Sequence, residues 1–168
     1  MLKFQNITLK NLSKLEKELV KSERAFPKDI RGEDGDYFTE MLETKGVIAK
    51  IAKLDSKYIG NIIGCPVTEE DVELYELHGL SDISKTIHLC TMVIDPPHRK
   101  NGYGRQLLLE FIKAARKAGY ETLAGHFRRN ASQHIIKALG GKKISTHKNW
   151  SDTGESYVLY ELELRQTS

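Results

Sequence analysis

Cysteine is nearly absent from this chain. Cys65 and Cys90 are its only two, each isolated within an apolar stretch. That excludes a disulfide-stapled scaffold and fits small buried thiols in a reducing compartment. Long apolar runs are missing as well: none approaches the ~20 residues needed to span a bilayer. Met1-Leu2-Lys3-Phe4-Gln5-Asn6 has no long apolar core and no small-residue cleavage site, so no signal peptide is expected. These absences predict a cytoplasmic protein with no membrane partner. An excess of one charge is lacking too. Against 26 basic residues stand 23 acidic ones, and the net +3 is too slight to imply a nucleic-acid partner. Arg128-Arg129 and Lys142-Lys143 read as solvated faces or phosphate contacts. With no repeat, low-complexity tract or Pro/Ser-rich linker, residues 1–168 read as a single domain.

What is present is a mixed succession of helical and strand patterns. Leu12, Leu15, Leu19 and Val20 are spaced for a helix over 12–22. Tyr37, Phe38, Met41 and Leu42 mark a shorter one over 36–43, and 26–32 reads as loop. Residues 47–52 and 58–64 read as strands joined by a turn at Asp55-Ser56. For Glu73-Leu74-Tyr75-Glu76-Leu77 the pattern leans to strand or irregular structure. A clear apolar strand follows over 86–94 and stops at Asp95-Pro96-Pro97. Leu107, Leu108, Phe111, Ile112 and Ala115 form one face of a helix over 104–118, with Gly119 as its stop. A strand over 122–127, a helix over 132–139 and a closing antiparallel pair, 143–148 with 157–164, complete an α/β (α+β) pattern.

The centre of this pattern is an apolar strand, a Pro-bounded turn, a basic glycine-rich loop and a helix. A helix N-terminus offers unpaired N–H groups and a positive dipole end, which suit a phosphate. Glycine lets backbone approach a ligand with no Cβ in the way. Arg99, Lys100 and Arg105 add positive charge, so the expected ligand is an anion, in particular a pyrophosphate. A P-loop would need Gly-Lys-Ser/Thr, and no such tripeptide exists in the chain. A dinucleotide motif would need a third glycine where Leu107 stands.

Ile94-Asp95-Pro96-Pro97-His98-Arg99-Lys100-Asn101-Gly102-Tyr103-Gly104 instead resembles the coenzyme A signature of the GCN5-related N-acetyltransferases (GNAT), R/Q-x-x-G-x-G/A after a strand ending in V-x-P. The resemblance is strongest over residues 86–141. It implies a mixed, mostly antiparallel central sheet with splayed middle strands and flanking helices. It also implies acetyl-CoA as cosubstrate and an amine acceptor, either a small molecule or a peptide or protein. Met92, Val93 and Ile94 would lend backbone groups to the pantetheine arm. Arg99, Lys100, Asn101, Gly102, Tyr103, Gly104 and Arg105 would cradle the pyrophosphate, and Asn130 would flank the cofactor. In the family the first two helices and their loop shape the acceptor side, which here places Glu23, Glu33, Asp34 and Asp36 there.

Acetyl transfer to an amine by direct attack in a ternary complex requires that the amine, with a pKa of ~10.4, lose its proton. It also needs donors for the oxyanion and a proton for the departing thiolate. His88 is the first candidate base. It lies six residues before Ile94, on the same strand face, near where histone-acetylating relatives carry a glutamate. Glu73 and Glu76 are alternates. The family's usual acid, a tyrosine, is replaced by Ile136 or Lys137 depending on the anchor, which leaves Tyr157, Tyr160 and water open. That gap keeps a non-catalytic acyl-CoA-binding module of the same fold as the alternative reading. His98, His126, His134 and His147 are too scattered to predict a metal. Trp150 could be a cleft wall, core or a dimer contact, so a homodimer is left open.

Overall fold

A computed structural model of the chain describes residues 1–129 and 131–165. In chain order its elements are β1 (Leu2–Asn6), α1 (Leu9–Glu23), α2 (Gly35–Glu43), β2 (Ile48–Leu54), β3 (Lys57–Pro66), α3 (Glu69–Leu74), β4 (Thr86–Ile94), α4 (Tyr103–Lys117), β5 (Thr122–Arg128), α5 (Ala131–Ala138), β6 (Lys142–His147) and β7 (Tyr157–Glu163). They build two compact units. The first comprises residues from Met1 to Cys65 and from Cys90 to Phe111; the second comprises Pro66 to Leu89 and the chain from Ile112 onward. The division falls inside β3, inside β4 and inside α4.

In the first unit β1, β2 and β3 pair antiparallel, with Leu2 opposite Leu54 and Ile48 opposite Gly64. β1 is an element the N-terminal sequence did not announce, because its five residues are too few to show a period. The Asp95 N–H donates to the Ile59 carbonyl at 2.8 Å, which holds the end of β4 beside β3. Thr8 caps α1 in a capping box with Asn11, each side chain answering the other's backbone N–H. Leu12, Leu15 and Leu19, three and seven residues along, then face one way and pack with Phe38, Met41, Ile51 and Ile63 into a buried cluster.

In the second unit β4 and β5 run parallel, with Thr86, Ile87 and His88 opposite Thr122, Leu123 and Ala124. The ladder covers only these three residues, whereas β5 pairs antiparallel with β7 along its whole length. The β4–β5 ladder ends at His88. β7 in turn pairs antiparallel with β6. Among the described residues β4–β5 is the parallel pair in an otherwise antiparallel arrangement, with helices flanking it, as expected. Val67, Leu77, Ala124 and Leu159 form a buried cluster of this unit.

The expectation of strand or irregular structure at Glu73–Leu77 needs correction. Glu73 and Leu74 close the helix α3, and Tyr75 is its C-cap. Thr68 opens the helix by accepting from the Asp71 N–H while Asp71 caps Thr68 in return. This Thr-x-x-Asp box, rather than hydrophobic period, is the local signal for α3. Irregular backbone begins at Glu76, which is left-handed with φ of 52°.

Candidate functional site

The anion-binding loop grows directly from β4. Past Ile94, Pro96–His98 make one 3-10 turn, tied by the His98 N–H to the Asp95 carbonyl at 2.9 Å. Prolines suit this position because a helical start wants φ near −65° and no donor. Lys100 and Gly102 then reverse the chain with φ of 63° and 76°. Asn101 braces the reversal, its amide donating to the carbonyls of Arg99 at 2.9 Å and His98 at 3.3 Å. The α4 ladder opens with the Gln106 N–H on the Gly102 carbonyl at 3.1 Å. The N–H groups of Tyr103, Gly104 and Arg105 precede it and, by helix geometry, have no intrahelical acceptor.

Lys100, Asn101, Gly102 and Arg105 are exposed, and Tyr103 and Gly104 are half-buried. A Cβ on Gly102 would meet no atom within 4 Å, so glycine serves the left-handed turn and leaves open space above it. Three donors, two or three cations and that space fit a pyrophosphate. Arg99 is partly committed elsewhere: its Nε donates to the Ile94 carbonyl at 2.8 Å.

The strand that feeds the loop has a definite polarity. Val93 turns its carbonyl toward Gly60 of β3. By alternation, the backbone groups of Met92 and Ile94 point to the opposite edge.

Asp95, at the end of β4, joins a polar network whose members are distant along the chain. The Tyr58 hydroxyl meets Ser22 Oγ at 2.7 Å and accepts from the Asn61 amide at 2.6 Å. Ser22 Oγ also donates to Asp95 at 3.2 Å. Burial pushes the Tyr58 phenol well above its ordinary pKa and raises Asp95 as well. Glu23, 1% exposed, accepts from Gly32 N–H at 3.0 Å and from Thr91 Oγ1 at 2.8 Å. Burial raises its pKa against those two hydrogen bonds. Glu23 is therefore a buried carboxyl at the end of α1, held by two hydrogen bonds.

The second unit gathers the other candidates. His88 lies 5.5 Å, centroid to centroid, from Tyr75 and 6.3 Å from His126. His126 stacks on Trp150 at 4.4 Å and 21°, and stands 5.1 Å from His147. Trp150 in turn meets Tyr157 at 4.9 Å. Burial draws the His88 pKa down to about 4, against a smaller opposing pull from Asp71. It draws His126 to about 3, helped by its two histidine neighbours. Both rings are held neutral at physiological pH. Of the alternates, Glu76 lies 3.8 Å from His147, while Glu73 sits 80% exposed beside His78.

Ile136 is fully buried and has no proton to give, and Tyr157 and Tyr160 are buried too. Asn130 lies outside the described residues. The gathering of His88, His147 and Trp150 around His126 was invisible in sequence because these residues are spread from 88 to 150. Among the described residues no group of three or more His, Cys, Asp or Glu could hold a metal ion, and no helix is long and apolar enough to cross a membrane.

The end of β4 thus runs directly into a basic loop and the N-terminus of α4. The sequence model of the Acetyltransferase (GNAT) family matches residues 13–140, and the chain belongs to that family. The fold is shared with solved acetyltransferases. The ribosomal-protein-S18-alanine N-acetyltransferase of Escherichia coli superposes with a TM-score of 0.73 at 18% identity, covering 100% of this chain and 97% of that one. The protein yncA of Salmonella typhimurium, described as an acetyltransferase and solved with its cofactor acetyl-CoA, gives 0.74 at 14%, covering 100% and 96%. An aminoglycoside 6'-acetyltransferase type Ii gives 0.73 at 16%, covering 99% of each. No curated protein sequence matches the chain.

Proposed function

We propose that this protein transfers the acetyl group of acetyl-CoA to a primary amine by direct attack in a ternary complex. The whole chain works as one cytoplasmic transferase domain in this reading. The observation that carries it is the Arg99–Arg105 loop, with its left-handed Gly102 and the N–H groups of Tyr103, Gly104 and Arg105 ahead of the α4 ladder. Those groups would bind the pyrophosphate, with Lys100 and Arg105 supplying charge. Met92 and Ile94 would pair with the pantetheine arm as an added strand does. An N–H of the same strand edge would stabilise the oxyanion.

The amine nitrogen then attacks the thioester carbonyl carbon, the C–N bond forms, and the C–S bond breaks to release the CoA thiolate. Attack makes the nitrogen's proton far more acidic than it was in the free ammonium. His88, kept neutral by burial, is suited to accept the proton at that stage rather than to deprotonate a free ammonium. The acceptor therefore enters as the free amine.

Acetyl-CoA incubated with a panel of peptides, aminosugars and polyamines should yield free thiol in proportion to amine. Tight CoA binding with no thiol released across the panel would favour the non-catalytic acyl-CoA-binding module.

A further inference from the structure

Among the described residues the β4–β5 ladder covers Thr86, Ile87 and His88. Past it come Met92 and Ile94, whose outer edge would take the pantetheine arm as an added strand. An edge kept open for a ligand gives up the ladder bonds that fix a strand's position. Directional contacts from elsewhere have to replace them if the ligand is to meet a preset geometry.

The last turn of α1 supplies such contacts. Two consecutive residues, Ser22 and Glu23, reach the β4 segment at two points that bracket residues 92–94. Thr91 Oγ1 donates to Glu23 Oε1 at 2.8 Å, and Ser22 Oγ donates to Asp95 Oδ1 at 3.2 Å. Ser22, Glu23 and Thr91 are 4%, 1% and 3% exposed, so water does not compete for these groups. Each grip is also anchored at its other end. Glu23 Oε2 accepts from the Gly32 N–H at 3.0 Å, and a Cβ on Gly32 would fall 2.0 Å from the Tyr37 ring, so that anchor has no room to shift. Ser22 Oγ spends its one hydrogen on Asp95 and therefore accepts from the Tyr58 hydroxyl at 2.7 Å, which accepts in turn from the Asn61 amide at 2.6 Å. Apolar packing is non-directional and lets a strand slide; two hydrogen bonds four residues apart fix it along its length.

We infer that Ser22, Glu23 and Thr91 are positioning residues for the cofactor: they clamp residues 92–94 in the geometry in which the open edge of β4 receives the pantetheine arm. None of the three touches the ligand in this account. Each acts through the backbone of Met92 and Ile94. The inference rests on the reading of that edge as the pantetheine site, and not on the transfer step. All the residues involved belong to the first unit.

Calorimetric titration with two ligands separates this role from general stability. CoA carries the arm, whereas adenosine 3'-phosphate 5'-diphosphate lacks it and reports the Arg99–Arg105 loop alone. Thr91→Val keeps the branched shape and removes the donor. Its CoA affinity should fall by about three- to tenfold, while its affinity for the diphosphate stays within about twofold. Thr91→Ser returns the hydroxyl and should return CoA affinity. Glu23→Gln should keep it as well, because the amide oxygen can take the Gly32 N–H while the amide nitrogen donates to Thr91 Oγ1. Ser22→Ala removes the other grip and should show the same selective loss, which keeps the test decisive should Thr91→Val not fold. Equal losses for both ligands would reveal a general loosening and overturn the inference. So would an unchanged CoA affinity in Thr91→Val, or a Thr91→Ser protein that binds CoA no better than Thr91→Val. The selective pattern without acetyl transfer to any amine would uphold the inference and overturn the transferase reading. Acetyl transfer with no selective loss would do the reverse, and a wild type that binds no CoA would overturn both.

Discussion

Gly60 of β3 lies so close to β4 that a methyl group on it would fall 2.4 Å from the carbonyl oxygen of Val93 and 2.7 Å from Cδ1 of Ile94. The contact is backbone on one side, so it has little freedom to yield. Gly60 thereby fixes the position of the strand whose opposite edge, Met92 and Ile94, would receive the pantetheine arm.

Gly60→Ala should consequently do two things at once. Overpacking of this kind costs about 1–3 kcal/mol, which urea denaturation would register. CoA affinity should fall as β4 is pushed outward. A variant with wild-type stability and wild-type CoA affinity would show that β3 and β4 have room to part.

Gly102 makes a contrasting case, since a Cβ there meets nothing. The cost of Gly102→Val comes from its φ of 76°, which a β-branched residue resists, on the order of 1–3 kcal/mol. CoA binding should be lost beyond calorimetric detection because the turn no longer presents the N–H groups of 103–105. Retained affinity would remove the loop from the cofactor site.

The Tyr58 network predicts a stability effect with no surface signature. Tyr58→Phe leaves the Asn61 amide and Ser22 hydroxyl without their buried partner, at a cost of about 1–3 kcal/mol. Asn61 already has an unpartnered buried Oδ1, so the loss should not be absorbed locally. Equal urea midpoints for wild type and variant would contradict the network's role.

His88 and His126 link stability to pH. Their folded pKa values, about 4 and about 3, lie below the ordinary 6.5. The unfolded chain thus binds protons that the folded one refuses. Stability from these groups is present above pH 6.5 and is lost as pH falls from there toward 4 and then 3. Imidazole NMR signals of both rings should stay flat between pH 5.5 and 8. A midpoint near 6.5 for either would mean that its ring is solvated.

Glu23 runs the other way. Its folded pKa is raised, so its contribution is greatest below pH 4.5 and declines as pH climbs through the raised value. The thermal midpoint of the wild type relative to Glu23→Gln should therefore decrease between pH 4 and 7. A constant difference would place the carboxyl in a solvated setting.

The sequence alone determined the features that depend on neighbours along the chain. The helix over α4, the strand of β4, the turn at Asp95-Pro96-Pro97 and the basic glycine loop are all set by local period, proline geometry and positive φ, which are legible within a dozen residues. β1 and α3 were obscure for a related reason: a five-residue strand and a six-residue helix are too short to show a period, and in α3 only the Thr68–Asp71 cap carries the signal. Tertiary structure alone decided what lies across long separations. It brought Ser22, Tyr58 and Asp95 into one hydrogen-bonded network, hydrogen-bonded Glu23 to Gly32 and Thr91, and set His88 and Trp150 against His126. Burial then moved the pKa values of these groups, because desolvation acts on a charge only once the fold has taken the water away.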